Sequence, residues 1–573
     1  MTRQMIMLSG WVAAILAAVM VHPLAQAREL PDFGLIFNDD GDLAFTSMDS
    51  ERAMQNLRAS IDALTGTPVR TLTYSVGAGS DVLYYPTKVA SVWGWRKTKY
   101  DEFSENPRSE DDKWAQRILN VKTGMAAGKD AIRVAGQRAK ELGLYFIPSY
   151  RMNDDHFMFD PFNYPLTGEF WIKHHETYTI GTDRSPILSD EHYGNLLDFS
   201  HEEVRNYRLG VIFEVIDRYQ DIMDGIELDF NRVQVFFPRG TAQERAHLMT
   251  DLVAKVRQRL DQAQQDNGRP YYLLVRIPPS LRNCRWAGLD IPTWVQQGLV
   301  DVLIPAQLMT LAHDMPVDEF VALAEPAGCK VYPALYPRTS WRWPLSHNPS
   351  AADYAQRAQR QVTPALVRGA AANYWHMGAS GFELFNFQHE DYAVRPYTDR
   401  VYRIMRDLAS PAALSLADKV FAVTPAYYLD HEDTYQYRKQ VPVALTAGEP
   451  LRLKLIVGDD LNAPDAALQP DRCALRLGFR DASADTHLAV AINDQPIFEG
   501  SVASHYLAAT GRAPATAPTA YVQLPLQDTS PLRQGVNEIR ITLEGPQDAT
   551  VQLVECALGV AYDRQYLRML FQP

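Results

Sequence analysis

The sequence is poor in cysteine, with only Cys284, Cys329, Cys473 and Cys556 among 573 residues. No two of them stand at zinc-ligand spacing, which argues against a structural zinc site. Positive charge is not in excess either. Lys and Arg number 56 against 69 Asp and Glu, a formal net charge of −13. That argues against a polyanion as the main partner, and no nucleic-acid partner is expected. Beyond residue 27 no apolar run approaches the ~20 residues of a membrane-spanning helix. Internal repeats and low-complexity tails are missing. With 46% hydrophobic and 22% charged residues, the composition is ordinary for a globular chain and excludes disorder, collagen and coiled coil.

What is present begins with a targeting segment. Arg3 is the sole charge in the first 27 residues, and WVAAILAAVMV (11–21) is followed by an A-x-A pattern ending at Ala27. This reads as a cleaved secretory signal peptide over 1–27 and predicts an exported protein, periplasmic or secreted. An uncleaved anchor is the alternative. Export permits disulfides. Cys284–Cys329 and Cys473–Cys556 are possible pairs, and buried free thiols are the other reading.

From residue 28 to 412, short apolar runs alternate with helical patterns. The strand candidates are 34–37, 69–75, 144–149, 225–230, 271–277, 300–304, 330–335 and 381–387, with helices over 50–64, 128–142, 201–219, 242–265, 317–324 and 351–377. Alternation of this kind builds parallel βαβ units, and eight of them predict a (β/α)8 TIM barrel. From 413 to 573 the helical pattern stops. Alternating runs at 451–457, 473–478, 488–492, 520–525, 537–543 and 550–560 predict an all-β, jelly-roll-like sandwich, with a hairpin at Asn493-Asp494-Gln495.

The sharpest chemical signal is DGIELDFNR (224–232). Side chains alternate along a strand, so Glu227 and Asp229 share one face while Ile226, Leu228 and Phe230 share the other. In a barrel the apolar face meets the helices and the acids enter the lumen. Two carboxylates there are costly unless hydrogen-bonded or paired with a cation, and their pKa values are driven apart. The competing reading is a salt-bridged lumen pair, with Arg232 or Arg276 as counter-ion.

This segment resembles the fourth-strand motif of glycosidase barrels and is close to the chitinase-type D-G-x-D-x-D-x-E pattern, although Asn231 stands where that pattern has its proton-donating Glu. Residues 30–410 resemble the family-10-like glycosyl hydrolase barrels of bacteria. The resemblance implies a carbohydrate substrate.

Polar residues close most of the predicted strands. Asp39 belongs to the Asn38–Asp42 cluster, which could be a turn or a Ca²⁺ loop but lacks EF-hand spacing. Arg151, Asn153, Asp154 and His156 follow the third strand, Arg276 the fifth, Gln307 the sixth, Tyr336 the seventh, and Glu383 and Asn386 lie on the eighth. Glycoside hydrolysis needs two carboxyl groups. Asp229 is expected as one, Glu383 or Asp154 as the other, and Glu227 as a group that tunes Asp229. Arg151, Arg232, Arg276, Asp39, Asn153, His156, Gln307, Tyr336 and Asn386 are expected to bind substrate, and Trp93 and Trp95 to stack on sugars, a core role for either tryptophan being the alternative. No cofactor and no metal are predicted, and the oligomeric state is left open. Competing functions are a non-catalytic glycan-binding protein on a degenerate barrel, and a lyase acting on anionic polysaccharide.

Overall fold

A computed structural model of the chain describes residues 29–562, apart from 42–46, 48, 97–109, 155, 157, 187–190, 309, 339–361, 388–398, 425–439, 466–467 and 509–517. The signal segment, Asp42, Asp155, Trp341 and Trp343 lie outside the described residues.

The first part of the chain is an α/β barrel. Its strands are β1 (Leu35–Asp39), β2 (Val69–Ser75), β3 (Tyr145–Arg151), β4 (Gly225–Asp229), β5 (Tyr272–Ile277), β6 (Val302–Pro305), β7 in two short stretches (Lys330–Val331 and Ala334–Leu335) and β8 (Glu383–Leu384). All of them pair in parallel. The first stretch of β7 pairs with β6 and the second with β8. The sheet therefore begins and ends on one six-residue segment, and the wall curls round to meet itself. The sequence predicts one continuous strand there. Pro333, which has no N–H to give a ladder, sits at the break, and its carbonyl accepts from Glu383 N at 3.2 Å. β8 is shorter than the predicted 381–387 because Asn386 turns to φ +59°.

The crossovers carry α1 (Ser50–Asp62), α2 (Glu110–Ala126), α3 (Ala131–Glu141), α4 (Glu169–Tyr178), α5 (Glu202–Tyr219), α6 (Ala242–Asn267), α7 (Leu281–Trp286), α8 (Ile291–Gln296), α9 (Val317–Ala324), α10 (Pro364–His376) and α11 (Asp399–Asp407). Their starts follow from side chains that satisfy free N–H groups. Asp49 caps α1, Asp130 caps α3 and Thr363 caps α10 ahead of Pro364. Outward residues of the strands, such as Leu72, Phe146, Ile226, Leu228 and Val275, join the helices in one large core. A separate cluster of Phe33, Ile36, Ile147, Tyr272, Leu274, Val302, Ile304 and Tyr332 fills the lower lumen. The barrel is thus packed below and polar only above.

The second part is sandwich-like. Its strands are β9 (Lys419–Ala422), β10 (Val443–Thr446), β11 (Leu451–Val457), β12 (Arg472–Arg480), β13 (His487–Ile492), β14 (Gln495–Ser501), β15 (Tyr506–Ala508), β16 (Ala520–Leu526), β17 (Gly535–Glu544) and β18 (Thr550–Ala561). One antiparallel sheet has the order β9-β18-β12-β16-β15, with β10 also on β18. The other has the order β11-β17-β13-β14. Both contribute to a common core that includes Leu455, Val490 and Ile541 from one sheet and Leu477, Val522 and Leu558 from the other. The expected hairpin is there: Asn493 and Asp494 both take positive φ, which suits a two-residue turn. All four cysteines are buried free thiols.

The barrel meets the sandwich through α10 and β9. A Cβ on Gly369 of α10 would lie 2.0 Å from the Val420 carbonyl, so this approach requires glycine. Nearby, Thr424 accepts from His313 N at 2.8 Å and donates to Asp314 at 2.5 Å. Burial pushes the His313 imidazole down to about 3. Gly369→Ala is expected to lower stability by about 1–3 kcal/mol through overpacking at this joint. Gly124→Ala, in α2 with nothing within 4 Å, is expected to raise it by about 0.5–1 kcal/mol. Urea unfolding of both variants measures the contrast.

Candidate active site

Above the apolar layers, ladder register sets which polar side chains share a level. Ser149 pairs with Glu227, and Arg151 with Asp229, which in turn pairs with Arg276. Glu383 on β8 reaches the same space from the other side. All four groups of the inner site are buried: Glu227 and Glu383 are 0% exposed, Asp229 1% and Arg276 2%. The predicted convergence of residues from β4, β5 and β8 is present in the lumen.

The Arg276 guanidinium touches all three acids. It donates to Asp229 Oδ2 in a short ion pair and lies 3.8 Å from Glu227 Oε1 and 3.6 Å from Glu383 Oε2. Its plane sits over the Phe385 ring, 3.7 Å from the centroid. Asp229 Oδ1 accepts from the N–H groups of Asn231 (2.9 Å) and Arg232 (3.1 Å). Both Asp229 oxygens thus accept hydrogen bonds.

The two glutamates differ. Glu227 Oε1 accepts from Ser149 Oγ at 2.6 Å, and Glu383 Oε1 meets Thr73 Oγ1 at 3.5 Å. Among the described residues no hydrogen-bond donor reaches Glu227 Oε2 or Glu383 Oε2. Burial, and next the neighbouring Glu227 charge, push the Glu383 carboxyl well above the usual range. Burial also raises Glu227, against the pull of Arg276. The Asp229 charge adds to that rise, and the Glu383 carboxyl, across the lumen, works against it. One cation facing three acids leaves the site acid-rich, and Glu383 is the group that keeps a proton.

A second network lines the mouth. Arg151 bridges Asp40 (2.8 Å) and Asp154 (3.2 Å). Asp154 also accepts from Gly79 N at 3.0 Å and meets His156 Nδ1 at 2.5 Å, and Arg232 donates to His156 Nε2 at 2.9 Å. Burial would raise the Asp154 carboxyl, but His156, Arg151 and Arg232 hold it well below the usual range. Asp154 thus differs from Glu383: its surroundings keep it ionised.

The remaining predicted residues divide by what they touch. Gln307, Tyr336, Arg232 and Arg276 line a small cleft with Asp229, Asn231 and Phe385. About 10 Å³ of it is open to the centre of a water-sized sphere, the room of one water. Asn386 donates to Tyr336 Oη at 3.0 Å. Asp39 accepts from Gly41 N at 2.8 Å within a turn. Asn153 spends its amide on the Val235 and Leu197 carbonyls (2.7 and 3.3 Å) and pins loops together. Trp93 is a correction to the stacking expectation. It is 1% exposed, packed against Tyr84 in the core, so no sugar reaches it. Trp95 is half-buried and donates to the Thr167 carbonyl at 3.0 Å.

Three contributors were not singled out from the sequence: Thr73, Ser149 and Phe385. The alternation Thr71, Thr73, Ser75 on β2 was a usable signal, because hydroxyls on the inward face of a barrel strand mark a polar lumen. The buried Asp81–Arg208 pair, joined by Tyr150, had no local signal, since its members are 127 positions apart. Among the described residues no cluster of His, Cys, Asp and Glu is arranged to hold a metal ion, and no helix is long and apolar enough to cross a membrane.

Two stability predictions follow from these opposite shifts. Asp154 is depressed, so its contribution is present above about pH 4 and is lost as pH falls through its folded value. Asp154→Asn is expected to cost about 3 kcal/mol at pH 7 by leaving buried cations unpaired. Glu383 is raised, so the folded chain takes up a proton and stability declines as pH rises above about 4.3 toward the folded value. Glu383→Gln is expected to flatten that decline. Urea midpoints from about pH 2 to pH 8 read both effects, and an unchanged slope in Glu383→Gln contradicts the assignment.

No family model matches the sequence, and no curated protein matches it. Solved structures do. A cycloisomaltooligosaccharide glucanotransferase from Paenibacillus sp. is 10% identical over 91% of this chain and 57% of its own length, with a TM-score of 0.31. A maltogenic α-amylase from Thermotoga neapolitana is 11% identical, over 88% and 98%, at 0.34. A class V chitinase from Pseudomonas fluorescens is 9% identical, over 66% and 100%, at 0.35. The chain thus spans little more than half of the first of these enzymes, and at such TM-scores the likenesses carry no argument about its chemistry.

Proposed function

We propose that the protein is an exported glycoside hydrolase that cleaves a poly- or oligosaccharide by carboxylate acid/base catalysis. The catalytic unit in this reading is the barrel, residues 28–412, and residues 413–573 cap it. The observation that carries the proposal is the meeting of Glu227, Asp229 and Glu383 around Arg276 at the polar end of the lumen, with Glu383 pushed toward its acid form and Asp229 ion-paired to Arg276. Glycoside cleavage requires such a pair, one carboxyl to protonate the leaving oxygen and one carboxylate to act as nucleophile or base. The likeness of DGIELDFNR to glycosidase motifs supports the same reading.

In this scheme Glu383 gives its proton to the glycosidic oxygen, and Asp229 attacks the anomeric carbon or activates a water. Glu227 sets the proton affinity of Glu383 through its charge. Arg276 holds Asp229 in place through their ion pair, and Ser149 orients Glu227. Asp154 is assigned to hold Arg151, His156 and Arg232 at the mouth. Gln307, Tyr336 and Asn386 are the groups that meet the sugar hydroxyls.

One observation favours a second reading, a non-catalytic glycan-binding barrel. The cleft beside Asp229 is narrow, and both Asp229 oxygens already have donors.

Reducing-sugar release from a panel of glycans separates the two. Catalysis predicts turnover on at least one glycan, reduced by about 10²–10⁴-fold in both Asp229→Asn and Glu383→Gln. It also predicts an alkaline limb in the pH profile that reports loss of the Glu383 proton. Tight binding of an intact glycan without turnover, or undiminished release by the variants, favours the second reading.

A further inference from the structure

A charged hollow also stands apart from the lumen. It lies between the loop after β3 and the loop after β4, on the face where the strands of the inner site end. The hollow measures about 440 Å³ and is lined by Asp183, Arg184, Ser200, His201, Arg239 and Arg245, among others. Arg184 and Arg239, both exposed, and the half-buried Arg245 line one space. Arg184 donates to the Thr179 carbonyl, Arg239 to the Asp183 carbonyl, and Arg245 to the hydroxyls of Ser200 and Thr241. Among the described residues none of the three pairs with a carboxylate, and the acids that line the same hollow are Asp183 and Asp198. The neighbouring Asp198 is 2% exposed and gives one oxygen to Ser200 N at 2.8 Å, with His201 3.8 Å from the other.

The scaffold adds to this field. Thr241 begins α6, a helix of 26 residues, and makes no side-chain cap there, so the positive end of the helix opens beside the arginines. The two walls are tied together: Arg239 N donates to the Arg184 carbonyl at 2.8 Å, and Phe199 N to the Phe236 carbonyl at 2.9 Å. The arginines are thus held apart at fixed positions with donors to spare. A fork of planar donors around an open space suits an oxyanion.

We propose that this pocket is an oxyanion subsite that takes the sulfate or carboxylate group of an anionic glycan. The glycan part rests on the function proposed above, whereas the oxyanion part stands on the pocket alone.

Calorimetric titration of the full chain tests it, with four probes: inorganic sulfate, a sulfated galactan oligomer, an oligogalacturonate and a neutral cello-oligosaccharide. The proteins are the wild type, Asp229→Asn, and the double variant Arg184→Gln/Arg239→Gln. Thr241→Glu, which sets a carboxylate in the pocket at a helix start where acids are tolerated, replaces the double variant should that fail to fold. At least one anionic oligomer is expected to bind the wild type and Asp229→Asn alike. The pocket variants are expected to weaken it by about 10–100-fold, roughly tenfold per charge-assisted pair, with rising salt acting in the same direction. Absence of saturable binding by sulfate and by both anionic oligomers overturns the proposal, as does equal affinity in the pocket variants. Equal affinity for the neutral oligomer overturns the oxyanion assignment, and binding of sulfate alone overturns the glycan assignment and leaves an inorganic oxyanion site.

Discussion

A single guanidinium governs the upper lumen. Three carboxyl groups cannot be taken out of water together unless something offsets their charge, and Arg276 is the cation within reach of all three. Its own position is fixed by β5 below and by the Phe385 ring against its face. Because one positive charge does not balance three acids, the remainder is settled by protonation, and the site acquires two carboxyls of opposite character. The asymmetry follows from counting charges in a closed space, before any substrate is considered.

The mouth is organised on a different principle. Around Asp154 the charges balance: Arg151 and Arg232 face Asp154 and Asp40, with the His156 ring beside them. The excess of acid is thus confined to the inner site. The hollow between the β3 and β4 loops brings three further arginines to the same face, beside Asp183 and Asp198. A chain with an overall formal charge of −13 thus gathers arginines on the face where the inner strands end.

Much of this was legible in the residue order. Period-two alternation in GIELD is local, so the inward pointing of Glu227 and Asp229 could be read directly, as could β2, α9 and β11, whose predicted ends match the observed ones. The partner of Glu227 could not. Glu383 lies more than 150 positions away, and closure of the barrel brings them together. Asp154 shows the same limit. Its sequence neighbours suggested a catalytic acid, but Gly79 N and Arg232 arrive from other loops. Trp93 failed as a sugar platform because a loop position does not imply exposure: the short strands Gly77–Ala78, Val82–Leu83 and Ser91–Val92 fold that insertion into a small sheet of its own. Short-range periodicity gives orientation, and topology alone gives partnership.

The divided seventh strand has a consequence for how the cylinder comes to exist at all. Elsewhere each strand joins both neighbours along a shared length, but at residues 330–335 one neighbour is held by the lower pair of residues and the other by the upper pair. Shortening this stretch by two residues would surrender one of those junctions altogether. The result would be an unrolled sheet with two raw edges, each offering unsatisfied main-chain groups to other molecules. Six residues therefore stand between a closed vessel and a template for aggregation.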